Sequence, residues 1–451
     1  MSHSLSTPDQ RAKDNIEQFL KNKNQNAHCL ERAWILGHRD PDHFMMLLNY
    51  LGKTGRRERL VTYAADEVRR LCRLDNREDL ANIIHHAQFA FLRGNCKIQS
   101  ELIDEAISSH FETRRRDREA ELNKVAYLVT FETDPSSTLP TIPVRMARYQ
   151  KKKFAPVIFL IHDLETVSKH NPKAAEIFRD TDEQGLEIIE CGLSKDAPPS
   201  EIVKNVSERI NASGPDALVT HLQIGMYRMI TAACDAPVKL GIDHGHPEWY
   251  SSTSLDVCLA GSEHNAQEAL CPSIRIPRII PDLDQRKTMK PVQKNQDILT
   301  ELNIPDSNFV FLSSGTAPKF GNPTYWKMVR EVLRLSGITW VFVGIGPDLL
   351  AGQFTKAEME KCRFLGFRQD FAEILSVADL YVDTFPVGGG EALARAAYMG
   401  KPIVTHIADI TGIFDKSKSY SAKADLFSDS PLALQGQDPN AYLKLIVNAY
   451  Q

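Results

Sequence analysis

No Cys-x-x-Cys pair occurs in the sequence, and its eight cysteines (Cys29, Cys72, Cys96, Cys191, Cys234, Cys258, Cys271 and Cys362) are scattered. In a chain of this size they read as reduced, mostly buried thiols in a reducing compartment. No run approaches the ~18 apolar residues of a membrane span. The opening stretch MSHSLSTPDQRAKDN has no apolar core, so it does not read as a secretory signal, and the expected location is cytoplasmic. There is no large excess of one charge: the formal net charge is −4, which gives no reason to expect nucleic acid. There is no repeat of fixed period and no long low-complexity tract. The absence of G-x-x-x-x-G-K-[ST] argues against P-loop phosphoryl transfer. Gly344-Ile345-Gly346 begins like a dinucleotide fingerprint, but the third glycine is missing and Pro347 removes an N–H donor. It also follows the second strand of its region, not the first, so NAD(P) is set aside.

The composition is ordinary for a globular protein, 42% hydrophobic and 25% charged, and 451 residues suffice for roughly two to four domains. Residues 1–120 read as helix after helix. The stretch from Arg56 to Leu74 places Leu60, Ala64, Val68 and Leu71 on one face at helical spacing, and 80–92 and 98–111 behave likewise. This all-helical module fits either an acceptor-docking or oligomerisation surface or a structural cap. The basic run from Arg114 to Arg118 reads as a solvated helix end.

From Asn123 the pattern changes. Apolar runs at 124–130, 155–161, 186–190, 217–220 and 238–242 alternate with helical stretches, as in a parallel sheet covered on both faces. A proline-punctuated polar stretch at 277–296 reads as a linker. Asp282 and Asp284 within it superficially offer two carboxylates, a pattern common by chance in linkers. A second alternating region has strands at 309–313, 339–343, 363–365, 380–382 and 403–405. The expected division is 1–120 helical, 121–281 a first Rossmann-like domain and 282–451 a second.

Ligands of such sheets sit beyond the carboxyl ends of the strands. In the second region those ends carry Ser313-Ser314-Gly315, Gly344-Ile345-Gly346, Gly366-Phe367-Arg368 and Asp383 to Gly390. The last is the most informative: strand, then Gly388-Gly389-Gly390, then a helix from Glu391, then Gly400-Lys401-Pro402 and another strand. Glycines at a helix start let N–H groups approach an anion, and the helix N-terminus adds partial positive charge. A tight turn needing positive φ explains glycines alone equally well. In the first region His221 follows the 217–220 strand, and Asp243, His244, Gly245 and His246 follow the 238–242 strand, with Trp249 and Tyr250 just beyond. Histidine at such a position can act as a base near neutral pH or donate to a phosphate. His162 and Asp163 lie just past the second strand, a position that fits lining the same cleft but fits an ordinary loop role better. Ser252 and Ser254 fit phosphate contacts and turn caps equally.

Two successive Rossmann-like sheets with a late glycine turn resemble a GT-B glycosyltransferase. More narrowly, the chain is similar to the cytoplasmic N-glycosyltransferases that modify bacterial adhesins and to their relative, O-GlcNAc transferase. The patches that carry this are Ile224-Gly225-Met226, Ala236-Pro237-Val238, Gly245-His246-Pro247, Ser251 to Asp256, Lys319, and Phe385-Pro386-Val387-Gly388 through Gly400-Lys401-Pro402, with the helical N-terminal module. The resemblance implies a metal-independent, inverting hexosyltransferase without a cofactor, taking its sugar from a nucleotide donor, by resemblance UDP, to a protein side chain. It implies His246 and Lys319 as catalytic candidates, and His244 joins them from its place past the strand end. Donor binding would fall to Ser314, Lys319, Gly388, Gly389, Gly390, Glu391 and Arg395, with His221 and Trp249 on the acceptor side. Partners would be the nucleotide sugar, a protein acceptor and a homo-oligomer or another chain held by the helical module. One departure stands out. Many GT-B enzymes have a ribose-binding acid five positions before the Gly-x-Pro, and here that position is Arg395. A cation cannot accept the ribose hydrogen bonds. Glu391, one turn earlier, either takes that role or pairs with Arg395. The alternatives are a transferase of glycan or lipopolysaccharide assembly and a catalytically silent GT-B scaffold.

Overall fold

The computed structural model describes residues 8–21, 28–37, 40–53, 56–91, 97–110, 122–129, 141–183, 185–194, 196–223, 225–243, 251–261, 266–267, 269–276, 294–321, 323–350, 354–368, 370–384, 388, 391–406, 433–436 and 439–450. The basic run 114–118, Asp282 and Asp284, and most of the expected linker lie outside them. The chain forms two compact units, Met1–Cys258 with Ala269–Pro272, and Leu259–Glu268 with Ser273–Gln451.

The first unit opens with helices α1 (Pro8–Lys21), α2 (His28–Ile35), α3 (Pro41–Lys53), α4 (Arg57–Arg73), α5 (Arg77–Phe91) and α6 (Lys97–His110). The expected apolar face of α4 is the buried one: Leu60, Ala64, Val68 and Leu71 are at most 2% exposed. Burying one such leucine stabilises by about 1.5–3 kcal/mol. The core they join is continuous with Ala126, Leu128, Val157, Phe159 and Leu218, so helices and sheet share one apolar interior.

That sheet and its crossovers comprise β1 (Lys124–Val129), α7 (Thr141–Gln150), β2 (Ala155–Leu160), α8 (Leu164–His170), α9 (Pro172–Glu183), β3 (Glu187–Glu190), α10 (Pro199–Ser213), β4 (Ala217–Thr220), α11 (Met226–Ala233), β5 (Val238–Ile242), β6 (Val257–Ala260) and β7 (Ser273–Arg275). Strand order is β3-β2-β1-β4-β5-β6-β7. The pairings β1–β2, β1–β4, β2–β3 and β4–β5 are parallel. β1 and β2 are buried residue after residue, without alternation, because both faces are covered. Two helices stand between β2 and β3. Asn171 ends α8 and its Oδ1 accepts the Ala174 N–H at 3.0 Å, capping α9, while Pro172 takes that helix's first position. The short strands β6 and β7 were not anticipated.

The second unit continues with α12 (Gln296–Glu301), β8 (Phe309–Ser314), α13 (Pro323–Leu333), β9 (Ile338–Val343), α14 (Lys356–Glu360), β10 (Cys362–Phe364), α15 (Phe371–Ser376), β11 (Leu380–Val382), α16 (Glu391–Tyr398), β12 (Ile403–His406), β13 (Ala433–Gly436) and α17 (Pro439–Tyr450). The order is β10-β9-β8-β11-β12-β13, and every neighbouring pair is parallel. Side chains alternate between two cores. Phe311, Trp340 and Phe342 face one, and Val310, Leu312 and Val341 face the other. Five of the six strands lie where the apolar runs place them; β13 is the addition.

Candidate functional site

In the second sheet the strand order reverses between β8 and β11: the chain winds outward from β8 through β9 to β10, then returns to β11 on the other side. The carboxyl ends of β8 and β11 therefore flank the topological switch point, where open parallel sheets hold their ligands. β8 ends at Ser314 and its loop carries Lys319, and the chain after β11 leads to the glycine turn. The two candidate groups, far apart in sequence, thus come to adjacent strand ends.

A buried hydroxyl ties these ends together. Ser313 Oγ donates to Val382 O at 2.7 Å and accepts from Tyr325 O–H at 3.0 Å and Trp340 Nε1–H at 3.1 Å. One residue thereby joins β8, β9, α13 and β11. All of it is closed to solvent, so each bond replaces an otherwise costly unmet polar group. Burial pushes the Tyr325 and Tyr381 hydroxyls far above the ordinary phenol range. Directly after β11, Asp383 is fully buried. Its Oδ1 accepts the Thr384 N–H at 2.9 Å and its Oδ2 the Thr405 O–H at 2.8 Å, linking the start of the turn to β12. Ser313 and Asp383 fall in the strand-end stretches expected to hold a ligand; their role as buried ties is what the structure adds. The signal was present: a carboxylate immediately after a fully apolar strand requires partners.

The G-x-G that fails as a dinucleotide motif has a packing role. Gly344 has φ +98°, and a Cβ there would lie 2.3 Å from Gly315 O. The loops after β8 and β9 touch backbone to backbone, which only glycine permits. Gly344 N–H also donates to Gly366 O at 2.6 Å, so the loop after β10 joins the row. Lys319 lies in the tight 3-10 turn Ala317–Phe320, partly exposed, with its N–H bonded to Thr316 O at 2.9 Å. Its stem lies over Gly315, where a Cβ would come within 2.9 Å of Lys319 Cδ. The next residue, Phe320, is fully buried among Tyr325, Trp326 and Phe342, and its carbonyl accepts Trp326 Nε1–H at 2.8 Å. An aromatic anchor thus sets the position of the lysine beside it.

Of the glycine turn, Gly388 is described and buried; Gly389 and Gly390 lie outside the described residues. The helix that follows is α16, beginning at Glu391. It stops where Gly400, at φ +67°, turns back and Lys401 N–H reaches Ala396 O at 2.9 Å. Glu391 and Arg395 pair on its surface: Arg395 Nε and a terminal guanidinium nitrogen both donate to Glu391 Oε1, at 3.0 and 2.8 Å.

In the first unit His221 directly follows β4 and is fully enclosed. His244, His246 and Trp249 lie outside the described residues. His162 Nδ1 lies 2.7 Å from Leu193 O, and Asp163 caps α8 by accepting the Thr166 N–H, which holds its carboxyl below the usual range. Both fill ordinary loop roles. Ser252 Oγ donates to Asp104 Oδ1 at 3.2 Å and contacts Ser254 Oγ at 2.8 Å, which is a turn role. Gly225, from the Ile224-Gly225-Met226 patch, has φ +53°, and a Cβ there would meet His85 Nδ1 at 2.8 Å, so α5 rests on it. Among the described residues no group of three or more His, Cys, Asp or Glu is arranged to hold a metal ion. Nor is any described helix long and apolar enough to cross a membrane.

No protein-family model matches the chain, and no curated protein sequence matches it either. Solved structures do. A mutant O-GlcNAc transferase of Thermobaculum terrenum aligns over 98% of this chain and 87% of its own, with TM-score 0.56 and 15% identity. A glycosyltransferase from Rickettsia africae covers 73% and 89%, at TM-score 0.54 and 12% identity. The Anabaena protein HepE in complex with UDP and glucose covers 73% and 90%, at 0.52 and 14%. The chain shares the GT-B fold of these proteins: two parallel α/β sheets, here preceded by a helical region.

Proposed function

We propose that this protein is a glycosyltransferase that moves a hexose from a nucleotide sugar, of the UDP type, to a protein side chain. The observation that carries this is the switch point of the second sheet. A lysine on an anchored 3-10 turn and a glycine turn opening a helix stand at the ends of the adjacent strands β8 and β11. Glycosyl transfer builds negative charge on the departing diphosphate. Lys319 meets that charge together with the main-chain amides of the turn at α16. Ser314 and Glu391 contribute polar contacts to the nucleotide, and His246 or His244 takes the proton from the acceptor. The reaction inverts at the sugar carbon and needs no metal, because lysine and amides supply the positive charge. The likeness in fold to a structure described as bound to UDP and glucose supports the donor class. The protein acceptor is supported by the alignment with the O-GlcNAc transferase, which takes in the helices, whereas the other two cover 73% of the chain. We place the protein in the cytoplasm, with the helical region as the surface that meets the acceptor or a second copy.

The Glu391–Arg395 pair favours a second reading, a GT-B scaffold without transferase activity, because the guanidinium occupies the one acid near the usual ribose position. Calorimetric titration with UDP, GDP, ADP and CMP, without metal and again with EDTA, separates the two. Selective binding of one nucleotide, unaffected by the chelator, is the expected result. Binding of none leaves the scaffold reading, and binding that requires manganese or magnesium overturns metal independence.

A further inference from the structure

β6 and the segment leading into β7 run side by side: Cys258 N–H donates to Pro272 O at 2.8 Å. This pairing brings Cys258 and Cys271 together, with their Sγ atoms 2.9 Å apart. Neighbouring strands lie about 4.8 Å apart, within the about 4.4–6.8 Å between Cα atoms that a disulfide spans. Both residues are present as thiols. Closing a bond of about 2.05 Å asks each sulfur to move by less than about 1 Å. We propose that Cys258 and Cys271 form a redox-active pair, a modification site at which a peroxide converts two thiols into a reversible disulfide.

The two sulfurs differ in the way such chemistry needs. Cys258 is fully buried, whereas Cys271 is partly exposed. Either thiol can donate in the Cys258–Cys271 contact; with Cys258 as the donor, that bond and the Ser252 N–H favour the Cys271 thiolate over the opposing effect of burial. Other buried thiols lack that support: burial pushes Cys191 up to about 11 and Cys234 and Cys362 up to about 12. Thiolates rather than thiols attack peroxides. The Cys271 thiolate attacks one peroxide oxygen, the O–O bond breaks, and hydroxide leaves, giving the sulfenic acid. The Cys258 sulfur then attacks the Cys271 sulfur. The S–O bond breaks, and the oxygen leaves as water, carrying the Cys258 proton. In sum, two thiols and one hydrogen peroxide give one disulfide and two waters. A dithiol reductant reverses the reaction. The pair adjoins the turn at 251–254, since Leu270 N–H donates to Ser251 Oγ at 3.1 Å and Ser252 addresses Cys271 itself. Oxidation is therefore felt where Asp104 of α6 holds that turn.

The full chain, treated with a few equivalents of hydrogen peroxide, is quenched in acid, alkylated with N-ethylmaleimide and cleaved after glutamate. Glu263 and Glu268 lie between the two cysteines, so they leave on separate peptides. The expected result is one crosslink joining those peptides, a loss of two of the eight thiols, and full return with dithiothreitol. In Cys258→Ser, Cys271 should instead accumulate as a sulfenic acid that dimedone traps. Recovery of both cysteines in alkylated form after peroxide, or a disulfide formed elsewhere in place of this one, overturns the proposal. A dimedone-silent Cys271 in the variant overturns its assignment as the attacking thiolate.

Discussion

The two sheets are wound alike, β3-β2-β1-β4-β5 in one and β10-β9-β8-β11-β12 in the other, yet their strand ends differ in chemistry. In the first unit the polar residues described at these ends are used internally. Asp163 caps a helix, His221 is enclosed, and Gln223 donates to the Thr231 hydroxyl at 3.0 Å and to Thr220. Helix α6 also adds a buried acid: Asp104 Oδ1 lies 3.3 Å from Arg228 Nε, and its Oδ2 accepts the Thr253 N–H at 2.8 Å. In the second unit the same positions carry Gly315, Gly344 and Gly366, whose backbones pack in a row, with the stem of Lys319 over Gly315. Topology marks where a ligand belongs in both sheets. The residue types differ: the described polar residues of the first sheet's ends are tied into the fold, whereas the second sheet's ends carry glycines and a partly exposed lysine.

The largest test of this contrast is Asp104→Ala. Arg228 is 0% exposed, and removing its carboxylate leaves a buried cation uncompensated, at a cost of ~3–5 kcal/mol. Denaturant titration should show that loss, and amide exchange should rise in α6 and around 251–254 while β8 and β9 keep their protection. Unchanged stability would mean that the ion pair is not formed and that α6 is held by its apolar face alone.

Lys319→Ala comes next. If the second sheet meets the diphosphate, transfer should fall by ~2.7–4 kcal/mol in barrier, about a hundredfold or more. Melting should be unchanged, since Lys319 is partly exposed and Phe320 provides the anchor. Wild-type rates in a well-folded variant would remove Lys319 from the diphosphate role.

Much of this contrast was legible in the sequence. Long apolar runs such as 155–160 and 338–343 announce buried strands because both sheet faces are covered, and the glycine turn announces its helix. Strands β6, β7 and β13 were missed because three or four residues, partly exposed in β6 and β7, carry too little pattern. The role of Gly344 was missed for another reason. Its neighbour Gly315 is 29 positions away, and no local signal reports a backbone contact between two loops. The same holds for Ser313, whose three partners come from three different elements.

Gly344→Ala tests that contact. A side chain at φ +98° costs about 1–2 kcal/mol before the contact with Gly315 O is relieved. Relieving it moves the β8 loop, so nucleotide affinity should drop together with the melting temperature. Gly346→Ala, which would meet nothing within 4 Å, should change neither.

The smallest effect expected is that of Arg395→Ala, and it bears most directly on which reading of the site holds. The pair with Glu391 spans one helical turn, both residues are about one-fifth exposed, and such pairs contribute ~0.3–0.5 kcal/mol. Stability should therefore barely move. Both guanidinium bonds fall on Glu391 Oε1, so the carboxylate retains its second oxygen for a ribose hydroxyl in the transferase reading. UDP affinity should then stay within about threefold, because in that reading the ribose contact belongs to Glu391, which the substitution leaves in place. A collapse of UDP binding in Arg395→Ala would assign the nucleotide to the guanidinium itself. In that case the departure from the acidic residue is a change of donor contact, not a surface ion pair.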